Sequence, residues 1–116
     1  MTLDKKTDAE ILRIVNPIMD NLMEASTKID HVSHTRDFTD RLKAIVTREY
    51  LEKVCNKYQE EKGFFAQRNL VAIFRRPAAV AVVWKQRFTK LEGEFVAEIL
   101  IVEQDSQCLV DHVMVW

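Results

Sequence analysis

The chain has 116 residues, 47% hydrophobic and 30% charged, with 17 basic and 18 acidic side chains and a formal net charge of −1. That is the size of one domain, able to bury a core without disulfides or a metal. The balanced charge argues against nucleic acid or an anionic membrane as partner, and no run reaches the roughly 18 apolar residues of a membrane span.

The opening MTLDKKTDAE has no apolar core for export, so it is not read as a secretory signal. The cytoplasm is the default location. Cys55 and Cys108 are read as two buried free thiols, because no CxxC or Cys/His spacing accompanies them.

The first half reads as helix. Thr7-Asp8-Ala9-Glu10 has the spacing of a capping box. Ile11, Val15, Ile18 and Leu22 then recur on one helical face, widened by Leu12 and Met19. Pro17 removes a backbone donor and disfavours helical geometry at Asn16, which predicts a kink or a second helix start. Ser26 to Ser33 is polar and reads as a connection, with Ser33 or Thr35 as the next cap. Phe38, Leu42 and Ile45 mark a second helix. Thr47 opens a third, with Tyr50, Leu51, Val54 and Tyr58 as its buried stripe. Gly63 supplies a left-handed stop.

From Phe64 the period changes to two. Turn residues at Arg76-Pro77, Glu92-Gly93 and Asp105-Ser106 divide four strands, near 64–75, 79–90, 94–103 and 108–116. Helices followed by such a meander predict an α+β domain spanning 1–116, its helices on one face of a curved four-stranded antiparallel sheet.

Registers follow from the turns. A two-residue turn at Glu92-Gly93 sets Arg87 opposite Glu98, Trp84 opposite Ile101, Gln86 opposite Ile99 and Phe88 opposite Ala97. A two-residue turn at Asp105-Ser106 sets Val110 opposite Ile101, His112 opposite Ile99, Met114 opposite Ala97 and Trp116 opposite Phe95. His112 then lies on the helix-covered face and Asp111 on the outer one. The two are neighbours that cannot form a dyad without a bulge, for which the sequence gives no signal. The inner row Gln86, Ile99, His112 is flanked by Trp84, Phe88, Met114 and Trp116. The first strand's register stays open: one parity brings in Gln67 and Asn69, the other Arg68.

The stretches IMDNLMEASTKIDHVSHTRDF, VTREYLEKVCNKYQEEKGFF, VAVVWKQRFTK and EFVAEILIVEQD resemble the nuclear transport factor 2-like superfamily along nearly the whole chain. The resemblance is to its small members of unknown function, cystatin-like cones. It implies a curved sheet wrapping the helices, often with a pocket between them. Enzymes of that superfamily place Asp, His or Tyr in the pocket, and no full catalytic set matches here.

His112 is the leading candidate site residue, as a base or a ligand contact, against the reading of a core histidine bonded to Gln86 or a backbone carbonyl. His31 and His34, with Asp30 or Asp37, have the spacing of a weak metal site, and Arg75-Arg76 reads as a charged turn. The outer face is expected to carry Val83, Leu100, Val102, Leu109, Val113 and Val115 beside Lys85, Arg87, Glu98 and Asp111. It is more apolar than a solvated face and predicts a homodimer through the sheet.

The expectation is therefore a non-catalytic domain that binds a small apolar molecule or serves assembly. Trp84, Gln86, Ile99, His112 and Trp116 would line its pocket, with no cofactor and no metal. The alternatives are an isomerase- or dehydratase-like enzyme using His112 as general base, or an interaction domain whose interior is filled by its own side chains.

Overall fold

Thr7 caps the first helix as its spacing requires. Its hydroxyl accepts from the Glu10 amide and the Glu10 carboxylate accepts from the Thr7 amide, at 3.2 and 2.9 Å. The computed structural model describes residues 2–116 and shows helix α1, Asp8–Lys28, running through Pro17 as one element. No second helix starts there. Proline costs a helix interior roughly 3 kcal/mol. Burial of Ile11, Val15, Met19 and Leu22 along one face outweighs that.

The connection after α1 is shorter than expected. It contains a helical turn, α2, His31–His34, capped by Asp30 rather than by Ser33 or Thr35. Thr39 caps α3, Asp40–Ile45, and Thr47 caps α4, Arg48–Lys62. Gly63 ends α4 at φ +85°, which favours glycine. The buried row of α4 is Leu51 and Cys55. Tyr50 and Val54, expected inside, are exposed instead.

The sheet is β1, Phe65–Arg76; β2, Ala79–Phe88; β3, Phe95–Gln104; and β4, Gln107–Val115, in that spatial order and antiparallel throughout. With the four helices it makes the expected α+β fold. Val80, Val82, Trp84, Ala97, Ile99, Ile101 and Val110 form the sheet side of the core, packed against α1, α3 and α4. A 3-10 turn, Leu3–Lys5, closes one end, with Leu3 fully buried.

The β2–β3 register differs from expectation. Thr89 to Glu94 form the connection, so Trp84 faces Ala97, Gln86 faces Phe95 and Val83 faces Glu98. Inward and outward faces are unchanged, because the slide is an even number of residues. The hairpin cannot tighten at Glu92-Gly93, since the residues before it are engaged elsewhere. The Thr89 amide donates to Phe64, and those of Lys90 and Leu91 donate to the Lys62 carbonyl at the end of α4. The expected Arg87–Glu98 pair is replaced by Lys85 and Arg87 on Glu94, at 2.5 and 3.7 Å.

The Asp105-Ser106 turn is as expected. Both residues have positive φ, and Val110 faces Ile101. Beyond it the register breaks: Leu100 faces His112, Ile99 faces Val113 and Ala97 faces Val115. Asp111 is the extra residue of a β-bulge. The expectation of an unbroken strand is thereby corrected. Val113 and Val115 turn inward to pack on the core, while His112, Met114 and Trp116 share the outer face with Leu100 and Glu98. β1 is also irregular, between Phe65 and Arg68 and between Leu70 and Ala72. Its first half therefore turns Arg68 inward and its second half Ile73, so neither single parity holds.

Candidate functional site

The helices and the sheet do not close over one another completely. Between α1, α3, α4 and the edge strand β4 lies a cavity of about 420 Å³. Its floor is Met19 and Leu22 of α1, with Leu42, Leu51 and Cys55 of α3 and α4. Phe65, Phe88 and His34 of α2 also contribute to the wall.

Its mouth explains a group of exposed apolar residues. Ile45, Tyr50, Val54, Met114 and Trp116 are all exposed, and all five line this cavity. The bulge contributes directly, because it sets Met114 and Trp116 at the rim while Val113 and Val115 face the interior.

Besides Arg41 and His112, three polar features stand on the wall. Ser26, Cys55 and Tyr58 form a cluster, with the Ser26 hydroxyl 2.8 Å from that of Tyr58 and 3.2 Å from the Cys55 sulfur. Burial pushes the Cys55 thiol and the Tyr58 phenol up from their ordinary values, so both are protonated at neutral pH. Neither is an activated nucleophile.

His34 is the second. It is 8% exposed, packs edge-on against Phe38 at 5.3 Å, and leaves Nδ1 without a partner. Burial, aided by nearby His31, holds its pKa down to about 4, so the ring is neutral. The third is Lys62, whose ammonium sits 5.6 Å from the Phe88 ring and 5.1 Å from the Phe95 ring.

The five residues expected to line a pocket together are not brought together. Trp84, Gln86 and Ile99 are packed in the core and do not line the cavity, whereas His112 and Trp116 do. Arg68 covers the Trp84 ring at 5.0 Å and pairs with Asp20 of α1. The Gln86 amide donates to the carbonyls of Ala66 and Arg87 at 3.0 and 2.9 Å, tying down the irregular start of β1.

The bulge that a dyad would need is present, yet it separates Asp111 from His112. Burial alone would raise the Asp111 carboxyl, but hydrogen bonds from Arg41 and Thr39 hold it below the usual range. His112 lies 3.3 Å from Glu98, which also accepts from the Trp116 indole at 2.6 Å. This Glu–His pair faces outward.

His31 and His34 do not converge. His31 bonds the Val46 carbonyl at 2.8 Å, and among the described residues no cluster of three metal-ligating side chains occurs. Arg75 reaches Asp8 and the Lys6 carbonyl, fastening β1 to the start of α1. The thiols are both free, Cys55 buried and Cys108 half-buried. No described helix is long and apolar enough to cross a membrane.

Sequence reasoning missed the cavity's main wall. A helical stripe sets Tyr50 and Val54 in the core, because its spacing is the same for a residue under the sheet and for one over a void beside it.

No family model matches the chain, and no curated protein matches it significantly. Solved structures do share its fold. The solution structure of a SEC-C motif-containing protein from Rhodopseudomonas palustris superposes with a TM-score of 0.60 at 11% identity, covering 84% of this chain and 74% of that one. A DUF4783 family protein from Bacteroides ovatus gives 0.50 at 11% identity, over 82% and 90%. The Bdellovibrio bacteriovorus protein Bd1075 gives 0.54 at 8% identity, with 94% of this chain matched to 42% of a longer one. At such identities the likeness is one of fold: this chain is similar to small α+β proteins, two of them described only by a motif or a family of undetermined role.

Proposed function

We propose that the chain is a non-catalytic small-molecule-binding domain of the nuclear transport factor 2-like type, taking a mostly apolar ligand between helices and sheet. One observation carries this reading: a 420 Å³ apolar cavity whose mouth is ringed by exposed Ile45, Tyr50, Val54, Met114 and Trp116. Natural cores are packed to crystal-like density, and ligand sites are apolar clefts of about 300–1,000 Å³ with a few polar groups. The unpartnered Nδ1 of buried His34 on the same wall supports it, since orphan buried nitrogens are rare and a ligand hydroxyl would satisfy this one. The ligand set centres on His112 and Trp116 at the rim rather than on Trp84, Gln86 and Ile99.

The anionic aromatic dye anilinonaphthalene sulfonate, which reports apolar sites, tests this. Stoichiometric binding that Val54→Trp abolishes, with the fold intact by circular dichroism, is the expected outcome. Absence of binding, or binding indifferent to Val54→Trp, overturns it.

A homodimer through the outer sheet face is a second reading. That face keeps Phe74, more than half exposed, with half-buried Val83, Leu100, Val102 and Leu109. Sedimentation equilibrium should give a dimer that Leu100→Glu splits; a monomer at micromolar concentration sinks it.

A further inference from the structure

The cavity wall has a charge bias that the whole chain lacks. The sequence carries 18 acidic residues against 17 basic ones. Yet the residues lining the cavity include Arg41, Lys62, His34 and His112, and no aspartate or glutamate. Two of these groups are already committed. Arg41 pairs with Asp111 at 3.0 Å, and His112 lies against Glu98. His34 is neutral. Lys62 alone is a cation with no carboxylate partner among the described residues.

Its setting is unusual for an unpaired lysine. A surface ammonium normally keeps its hydration shell. Here the half-buried side chain lines an apolar trough, with its ammonium over the rings of Phe88 and Phe95. Removing water from around it strengthens its attraction for an anion.

The trough's length follows from α4. Its lining residues run from Tyr50 to Lys62, which is about 18 Å at roughly 1.5 Å of rise per residue. At roughly 30 Å³ per methylene-sized group, on the order of a liquid water's share, the volume accommodates about a dozen carbons.

Resting on the binding reading above, we propose that the ligand is an apolar monocarboxylic acid bound as its anion. Its carboxylate sits on the Lys62 ammonium and its hydrocarbon body lies along α4 toward Leu42 and His34. One uncommitted cation matches one negative charge. A phosphate dianion would meet a single ammonium and no further free cation.

Titration calorimetry below micellar concentration, with dodecanoate, 1-dodecanol and dodecyltrimethylammonium as probes, separates head from chain. Dodecanoate is expected to bind about tenfold tighter than dodecanol, the scale of one hydrogen bond between charged groups. Lys62→Met should bring the two within about twofold while dodecanol affinity is kept, and Lys53→Met, on the solvated side of α4, should leave the preference unchanged. Equal affinities in the unmodified protein, or tighter binding of the ammonium probe, overturn the carboxylate assignment and leave the apolar site standing. Failure of all three probes to bind overturns both.

Discussion

The hydroxyl of Thr39 donates to the carboxylate of Asp111 at 2.8 Å, joining residues 72 positions apart. Thr39 is simultaneously the N-cap of α3, its oxygen accepting from the Leu42 amide, and its own amide donates to the Val110 carbonyl. Three hydrogen bonds of one residue therefore tie together the bulge, the start of α3 and the free edge of the sheet. Because the bulge decides that Val113 and Val115 face inward and Trp116 outward, the shape of the cavity depends on it.

Asp111→Ala should cost about 1–2 kcal/mol, since it removes charge-assisted bonds from Thr39 and Arg41 at a partly exposed site. A double-mutant cycle with Thr39→Val, read by urea denaturation, should show coupling of about 1 kcal/mol. The Asp111 pKa is lowered in the fold, so this contribution is present above the ordinary value of 3.8 and is lost as pH falls through the folded value. Additive effects of the two substitutions would show that the bulge is set by packing alone.

His34 predicts a different pH dependence. Its folded pKa, about 4, lies below the ordinary 6.5, so the unfolded chain binds the proton first. Stability is therefore unaffected above pH 6.5, falls as the pH drops from there to about 4, and loses no more from this group below that. The drop between pH 7.5 and 5.0 should be about 2 kcal/mol at roughly 1.4 kcal/mol per pKa unit. Carboxylates with lowered values, such as Asp30 and Asp111, act at lower pH. Urea denaturation at the two pH values checks this; His34→Leu should flatten the profile, and an unchanged slope in that variant assigns the effect elsewhere.

Gln86 is predicted to be structural. It is fully buried in β2, and its amide nitrogen donates to the Ala66 carbonyl in the irregular start of β1 and to the Arg87 carbonyl of its own strand. Gln86→Leu strands those carbonyls, at about 1–3 kcal/mol for an unsatisfied buried group. Thermal unfolding should fall accordingly while dye binding to the folded protein persists, because Gln86 does not line the cavity. A selective loss of binding at unchanged stability would restore it to the ligand site.

What the sequence revealed and what it hid have physical causes. Thr7, Thr47 and Gly63 were legible because caps and stops act within a few residues, and the two-residue turn at Asp105-Ser106 likewise fixed its own hairpin. Parity in β2 and β3 survived a four-residue slide because apolar alternation specifies the face and not the partner. The bulge at Asp111 was invisible because its cause is long-range: Thr39 and Arg41 draw the carboxylate out of the strand from 70 or more residues away. With it went the placement of His112, Val113, Met114, Val115 and Trp116. The cavity was hidden for the same reason, as a void belongs to the packing of four elements and to no single stripe.

Gly63 carries the junction between α4 and the sheet. A Cβ there would stand 2.4 Å from the Thr89 hydroxyl oxygen and 2.9 Å from the Lys90 backbone nitrogen. The same turn receives the Lys90 amide on the Lys62 carbonyl, so the β2–β3 loop has no room to withdraw. Gly63→Ala thus combines a strained positive φ, worth roughly 1–3 kcal/mol, with displacement of hydrogen-bonded backbone. A total of about 3 kcal/mol or more is expected. Gly93 is the contrast, because although its φ of +135° is also unfavourable, an added Cβ meets nothing closer than the Phe95 ring at 3.4 Å. Gly93→Ala should therefore cost only the backbone strain, roughly 1–3 kcal/mol. Midpoints of chemical denaturation for the two variants rank them directly. Equal losses would mean that the contact with Thr89 and Lys90 relaxes freely and that the end of α4 is not pinned to the sheet.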